Sequence, residues 1–234
     1  MNYTKKILSP GNTNAKTAKN QLPTKILYLH PSKIEGKEIC PFASEGCRMS
    51  CLNTAGRGVF KNVQDSRIER TKFYVLNKLA FYDKIQKEIN SFAKYYKRKG
   101  KNVAIRLNGT SDQPIVETLI IAQMRHIENN VIFYDYTKNP KKAGVRLLPS
   151  GHKYVVTFSY SEKKDSLKHS LDILNNGGLV AVVFNKLPKT WNGYTVIDGD
   201  KSDDLMLNLQ PGTVIGLKAK GKAINDKSGF VIHI

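Results

Sequence analysis

The sequence predicts an α/β fold: a partial or complete (β/α) barrel on a mostly parallel sheet, with a cysteine loop after the first strand. Two observations carry that expectation. From Gly100 onward, short continuous apolar runs alternate with amphipathic stretches, the pattern of strands buried on both faces and separated by covering helices. The positions just past those runs are polar in nearly every case, and in parallel α/β folds these positions line the mouth of a site. With 234 residues and 40% hydrophobic side chains, the chain can bury a full core, and we expect a single domain over residues 1–234.

Residues 1–23, rich in Asn, Thr, Lys and Gly with Pro10-Gly11, read as an extended N-terminal arm. Thr24 to His30 reads as the first strand, and the cysteine loop, residues 40–58, follows it. Between Val63 and Lys99 the apolar residues Ile68, Val75, Leu76, Leu79, Tyr82, Ile85, Ile89, Phe92 and Tyr96 recur at helical spacing. A helical stretch this long points to two helices with a break near Asn77, and Gly100 supplies the stop. Later strands are expected at Val103–Leu107, Val131–Tyr136, Tyr154–Ser159, Leu179–Phe184, Tyr194–Ile197, Val214–Leu217 and Phe230–Ile234. A helix is expected from Gln113 to Glu128, with Asp112 as its N-cap and Pro114 in its first turn. Asn139-Pro140 opens a shorter one, and Ser166 to Asn176 is a third, closed by Gly177-Gly178. Asp112, Ser161 and Asn139 are read as helix caps.

The chain holds three cysteines, all within Cys40-Pro-Phe-Ala-Ser-Glu-Gly-Cys47-Arg-Met-Ser-Cys51, followed by Gly56-Arg57-Gly58. An odd number cannot pair off completely in disulfides, and crowded thiolates repel unless a cation neutralises them. Soft thiolates select zinc, copper(I) or iron–sulfur clusters. A structural zinc finger normally offers two tight ligand pairs, whereas C-x6-C-x3-C has none, which favours a site with an open position. The zinc reading takes His30 with Cys40, Cys47 and Cys51. Arg57 either donates toward the sulfurs or pairs with an acidic neighbour.

The polar strand ends supply candidate ligand-binding residues. They include Asn108-Gly109-Thr110-Ser111-Asp112-Gln113 and Asp135-Tyr136-Thr137-Lys138. Asp135 stands between two aromatics at the end of an otherwise apolar strand. Gly109 lets a turn bring backbone amides close to a ligand ahead of a helix N-terminus.

The order strand, cysteine loop, helix, strand, glycine turn, helix resembles the start of the radical SAM enzymes. There, three cysteines hold a 4Fe-4S cluster and a Gly-Gly-Glu-Pro segment contacts S-adenosylmethionine. Asn108 to Pro114 would take the place of that segment. The chain departs from that pattern in its C-x6-C-x3-C spacing, in lacking an aromatic before Cys51, and in lacking the glutamate of the glycine segment. A closer resemblance runs through Leu8-Ser9-Pro10-Gly11-Asn12, Cys40-Pro41, Cys47, Cys51, Gly56-Arg57, Arg67 and Asn77, which look like the phage-encoded family called gene product eighty-eight. That resemblance implies a virus-encoded protein and leaves the reaction open. With a 4Fe-4S cluster on Cys40, Cys47 and Cys51, the fourth iron needs another donor. The candidates are S-adenosylmethionine, water, His30, Asp112 and Asp135, with Asn108, Gly109 and Thr110 beside them.

The charge of +19, from 38 Lys and Arg against 19 Asp and Glu, attracts phosphate polymers through counterion release. A nucleic acid or nucleotide on the basic surface is therefore a candidate partner, weighed evenly against a merely solvated face. The cations concentrate at Lys94–Lys101, Lys138–Arg146 and Lys218–Lys222. No apolar run approaches the ~18 residues that cross a bilayer, and the first residues lack a signal-peptide core. We expect no membrane partner and a location in the host cytoplasm, where thiols stay reduced. No Walker loop, G-x-S-x-G elbow or H-E-x-x-H motif occurs, which argues against the common hydrolases and nucleoside triphosphatases.

Overall fold

The computed structural model describes residues 3–13, 16–122, 126–203, 205–208 and 210–234. In chain order its elements are β1 (Leu8–Pro10), β2 (Thr24–Leu27), α1 (Glu45–Met49), α2 (Lys61–Leu76), α3 (Lys78–Lys97), β3 (Val103–Arg106), α4 (Ile115–Glu117), β4 (Val131–Thr137), β5 (Gly144–Leu147), β6 (Lys153–Ser159), α5 (Ser166–Asn175), β7 (Leu179–Phe184), β8 (Thr190–Trp191), β9 (Tyr194–Asp198), α6 (Leu205–Asn208), β10 (Thr213–Lys218) and β11 (Val231–Ile232). The expected α/β class is found, with an 11-stranded, mostly parallel sheet. Among the described residues its strand order is not closed into a barrel. Contacts divide the chain into two compact units: residues 1–41, 60–135 and 146–154, and residues 42–59, 136–145 and 155–234.

In the first unit, β2 is flanked by β1, antiparallel with Leu8 opposite Leu27, and by β3, parallel with Thr24 opposite Ala104. β3 pairs in parallel with β4, Val103 opposite Val131. The Leu8–Pro10 part of the N-terminal arm is thus docked on the sheet. Ile7 and Leu8 are buried, and the Glu88 carboxylate accepts both of their backbone N–H groups at 2.8 and 2.9 Å. The expected helix break falls at Asn77, whose φ of −135° and ψ of 55° separate α2 from α3. α3 buries Phe81, Tyr82, Ile85, Ile89 and Ala93, with Phe81, Ile85, Ile89 and Ala93 four residues apart and Tyr82 beside them, so one stripe faces inward. Each large apolar side chain of that stripe contributes roughly 1.5–3 kcal/mol by leaving water. Phe73, Tyr74, Phe81 and Tyr82 continue the core in edge-to-face contacts, and Tyr3 stacks on Phe73 at 5.0 Å.

The helix expected from Gln113 to Glu128 is mostly not formed. Ile115–Glu117 is α-helical, Thr118–Ala122 is a π turn, residues 126–128 are not helical, and residues 123–125 lie outside the described set. Pro114 has ψ of 52°, off the helical value, and no side chain caps this helix. Gln113 is buried and bonded elsewhere, so the chain enters the segment from a fixed turn rather than from a capped first turn.

In the second unit β7 pairs in parallel with β6, β10 and β11, and β10 pairs in parallel with β9. β8 and β9 form an antiparallel hairpin. The continuous apolar runs of β7 and β10 are buried on both faces, as a covered parallel sheet requires. Their core gathers Phe158, Leu174, Val180, Val182, Phe184, Trp191 and Val214. Asn139 caps a short turn by accepting from Lys141 N–H, as expected. Asp112 and Ser161 do not cap: α4 has no side-chain cap, and α5 begins after Asp165, while Ser161 N–H donates to the Ser166 hydroxyl.

Candidate metal centre

Cys40 ends a stretch of the first unit held by the turn after β3. Asp112 N–H donates to Ile39 O at 3.1 Å. The Gln113 side-chain amide donates to Glu38 O and Ile39 O at 3.0 and 2.9 Å. Cys40 N–H donates to the Glu38 carboxylate at 2.9 Å, and the Cys40 thiol lies 3.6 Å from Thr110 O. Thr110 in turn donates its hydroxyl to Leu29 O at 2.6 Å. Gly109 sits where a Cβ would come within 2.6 Å of the Tyr28 ring and 2.7 Å of Leu27 O. The close approach that demands glycine here is therefore made by the end of β2.

Asn108 organises that turn. Its side-chain carbonyl accepts from Ser111 Oγ and Gln113 N–H, and its amide donates to Gln113 O. Asn108 is itself held by Asp135, which accepts from Asn108 N–H at 2.7 Å, from Asn108 Nδ2 at 3.2 Å and from the Tyr154 hydroxyl at 3.1 Å. Asp135 is 1% exposed. Burial pushes its carboxyl up to about 7, against the opposing pull of Arg106 and of these hydrogen bonds. Asn108, Asp135 and Tyr154 thus form a buried polar cluster behind the turn that holds the Cys40 stretch, and Asp112, also buried, meets that stretch through its backbone N–H.

Cys47 and Cys51 belong to the second unit. Ser44 is the N-cap of α1, accepting from Cys47 N–H at 3.2 Å. Glu162 locks the same turn, accepting from the Ser44 hydroxyl and from Gly46 N–H, both at 2.7 Å. A Cβ on Gly46 would meet Ser228 Oγ at 2.1 Å and Phe230 Cβ at 2.8 Å, so only glycine fits. Cys47 packs against the small cluster of Ala223, Phe230 and Val231. After α1, Ser50 donates to Asp226 at 3.3 Å, and Asp226 also accepts from the Ser228 hydroxyl and Val231 N–H. Burial opposes ionisation of Asp226, but these donors outweigh it and hold the carboxyl below its usual range. Cys51 opens a 3-10 turn and its sulfur accepts from Asn53 N–H at 3.5 Å. Lys163 Nζ reaches Phe42 O at 2.9 Å, and Lys138 lies 4.8 Å from the centre of the Phe230 ring while donating to Ser159 and Tyr160.

All three thiols are partly exposed. Among the described residues, no group of three or more His, Cys, Asp or Glu side chains stands ready as metal ligands. The donor chemistry nevertheless fits a soft metal: three partly exposed thiols, one of whose sulfurs accepts a backbone N–H, on a segment anchored at Ile39, Gly46 and Ser50. Arg57 is exposed on the 3-10 turn Gly56–Val59. The His30 imidazole bonds the Ser32 hydroxyl at Nδ1, and burial, followed by the Arg67 charge, lowers its pKa, which favours the neutral ring. Glu162, Asp226 and Ser228 are the anchors that sequence reasoning missed. They lie more than a hundred residues from the thiols, and no local spacing signals them.

No helix among the described residues is long and apolar enough to cross a membrane. No curated protein and no solved structure matches the chain. A family model described as Gene product 88 matches residues 3–234.

Proposed function

We propose that this chain, which belongs to the phage Gene product 88 family, is an iron–sulfur protein in which Cys40, Cys47 and Cys51 hold a 4Fe-4S cluster. One iron is left to a non-cysteine donor. The observation that carries this reading is the set of three partly exposed thiols on a segment held by Gln113 at Ile39 O, by Glu162 at Gly46 N–H and by Asp226 at the Ser50 hydroxyl. Rigid backbone with open sulfurs is what a ligand loop needs, because binding free energy then is not spent on ordering the chain. When bound, such a cluster supplies a one-electron couple and one Lewis-acidic corner.

The protein's own residues set the conditions around it. Asn53 N–H hydrogen-bonds the Cys51 sulfur, which favours the thiolate and raises the potential of whatever it ligates. Arg57 adds positive charge from the exposed turn. The Asn108–Gln113 turn positions Cys40, so those residues act by placing a ligand. S-adenosylmethionine at the open corner, and closure of the strands into a (β/α) barrel around it, are the radical SAM form of this reading.

Anaerobic purification followed by iron and acid-labile sulfide analysis tests it. A brown protein with four irons and four sulfides per chain, lost on Cys40→Ser, Cys47→Ser or Cys51→Ser, is the expected result. A colourless protein with stoichiometric zinc would instead assign Cys40, Cys47 and Cys51 to a structural staple. Reductive cleavage of S-adenosylmethionine by the loaded protein would make it an enzyme. Without cleavage, the cluster serves electron transfer or sensing.

A further inference from the structure

The solvent face of α3 carries a different signal, independent of the cysteines. Lys87, Ser91 and Tyr95 follow one another at four-residue steps and are exposed, so they share one stripe, and exposed Lys99, in the turn after the helix, joins it by donating to the Tyr95 hydroxyl at 2.7 Å. Arg98 and Lys101, also exposed, follow in the turn and chain just past the helix end. At 1.5 Å per residue the stripe from Lys87 to Lys99 runs ~18 Å. The two acids of α3 are Asp83 and Glu88, and Glu88 turns its carboxylate to the Ile7 and Leu8 amides. Glu128 is taken by Lys94 and Lys97. Lys87, Arg98 and Lys101 therefore face solvent with no carboxylate partner among the described residues.

The aromatic part of this surface is continuous. Phe92, Tyr96 and Tyr95 form an edge-to-face chain with centroids 5.0 Å apart at each step. Lysines sit over both ends, Lys25 at 5.1 Å from the Phe92 ring and Lys99 at 4.3 Å from the Tyr95 ring. Tyr95 is 45% exposed, the only large apolar side chain among residues 80–101 to stand that open. A helix face that rests on lipid needs a broad apolar stripe, and this one offers a single ring among cations. Cations at helical intervals beside a stacking ring suit a strand whose bases are unstacked and whose phosphates are continuous.

We propose that the exposed face of α3 from Lys87 onward, with the turn after it as far as Lys101, binds single-stranded nucleic acid, with Tyr95 stacking on a base and Lys87, Arg98, Lys99 and Lys101 contacting phosphates. Duplex nucleic acid lacks the free base, so it binds this face more weakly. The site goes beyond the iron–sulfur reading and does not depend on it.

Fluorescence anisotropy of labelled oligothymidylate and oligouridylate with the full-length chain, titrated against salt, tests this. Stacking on one base predicts that Tyr95→Ala weakens binding by roughly 5- to 150-fold, while Tyr95→Phe stays near the parent. Lys99→Ala should reduce the salt slope by about 0.7, and Lys168→Ala, on the exposed face of α5, should leave the affinity within the parent's range. The proposal is overturned if Tyr95→Ala binds as tightly as the parent, if duplex DNA binds as well as the single strand, or if anionic phosphatidylserine vesicles bind where the oligonucleotides do not. Circular dichroism of each variant confirms that it is folded.

Discussion

Asp135 shows how much one buried side chain decides. Its carboxyl has nowhere to shed charge into solvent, and its three donors, Asn108 N–H, Asn108 Nδ2 and the Tyr154 hydroxyl, only partly offset the cost of burial. Because its folded-state value is raised from 3.8 to about 7, the folded chain holds a proton that the unfolded chain releases between those values. The contribution to stability is therefore fully present below about pH 4 and lost as pH rises through about 7, amounting to a few kcal/mol. Asp135→Asn should flatten that slope relative to the parent, as read from urea midpoints across the pH range, and parallel profiles would contradict it. Gly46 makes the opposite kind of demand, on space. Gly46→Ala drives a methyl into Ser228 and Phe230 and should cost about 1–3 kcal/mol of stability in thermal unfolding. An unchanged melting temperature would show that the contact relaxes freely.

Among the elements, those dictated by local pattern were legible and those dictated by distant partners were not. The apolar runs at Val131, Leu179 and Thr213 announce covered strands because both faces are buried. The break at Asn77 follows from a helical run too long for one globular helix. β1 lies in the stretch whose Asn, Thr, Lys and Gly content with Pro10-Gly11 reads as an extended arm, and its pairing with β2 comes from tertiary contact. The helix expected after Asp112 shrank because Gln113 is committed to Ile39 and Asn108. The cysteines themselves could be picked out by count and spacing, but not their anchors, since Glu162 reaches Gly46 across 116 positions. Removing that anchor makes a prediction for α1. Glu162→Ala leaves the Ser44 hydroxyl and Gly46 N–H without their acceptor, at a cost of about 1–3 kcal/mol, whereas Glu162→Gln keeps one acceptor and should cost less. Anaerobic iron retention should fall in the same order. Retention identical across the three proteins would mean that α1 does not position the ligands.

Over the whole molecule the same segment that is richest in sulfur is among the most heavily anchored, while the excess of positive charge, +19, stands largely elsewhere, with its densest run at the end of α3. Net charge of that size acts on partners and solubility and says nothing about fold, which is why the sequence makes a polyanion a candidate partner without placing it. The proposed site on α3 rests on the exposure of Tyr95 and the inward turn of Glu88, both tertiary facts. Metal loading couples to the stability of the whole chain by mass action, so chelation under anaerobic conditions should lower the melting temperature of the parent and leave a triple Cys→Ser variant unchanged. The most direct measurement is native mass spectrometry of the anaerobically purified chain beside that variant. A mass increment of one 4Fe-4S cluster per chain, absent from the variant, is the expected result; a parent that carries only zinc, or the bare mass of the polypeptide, would contradict it.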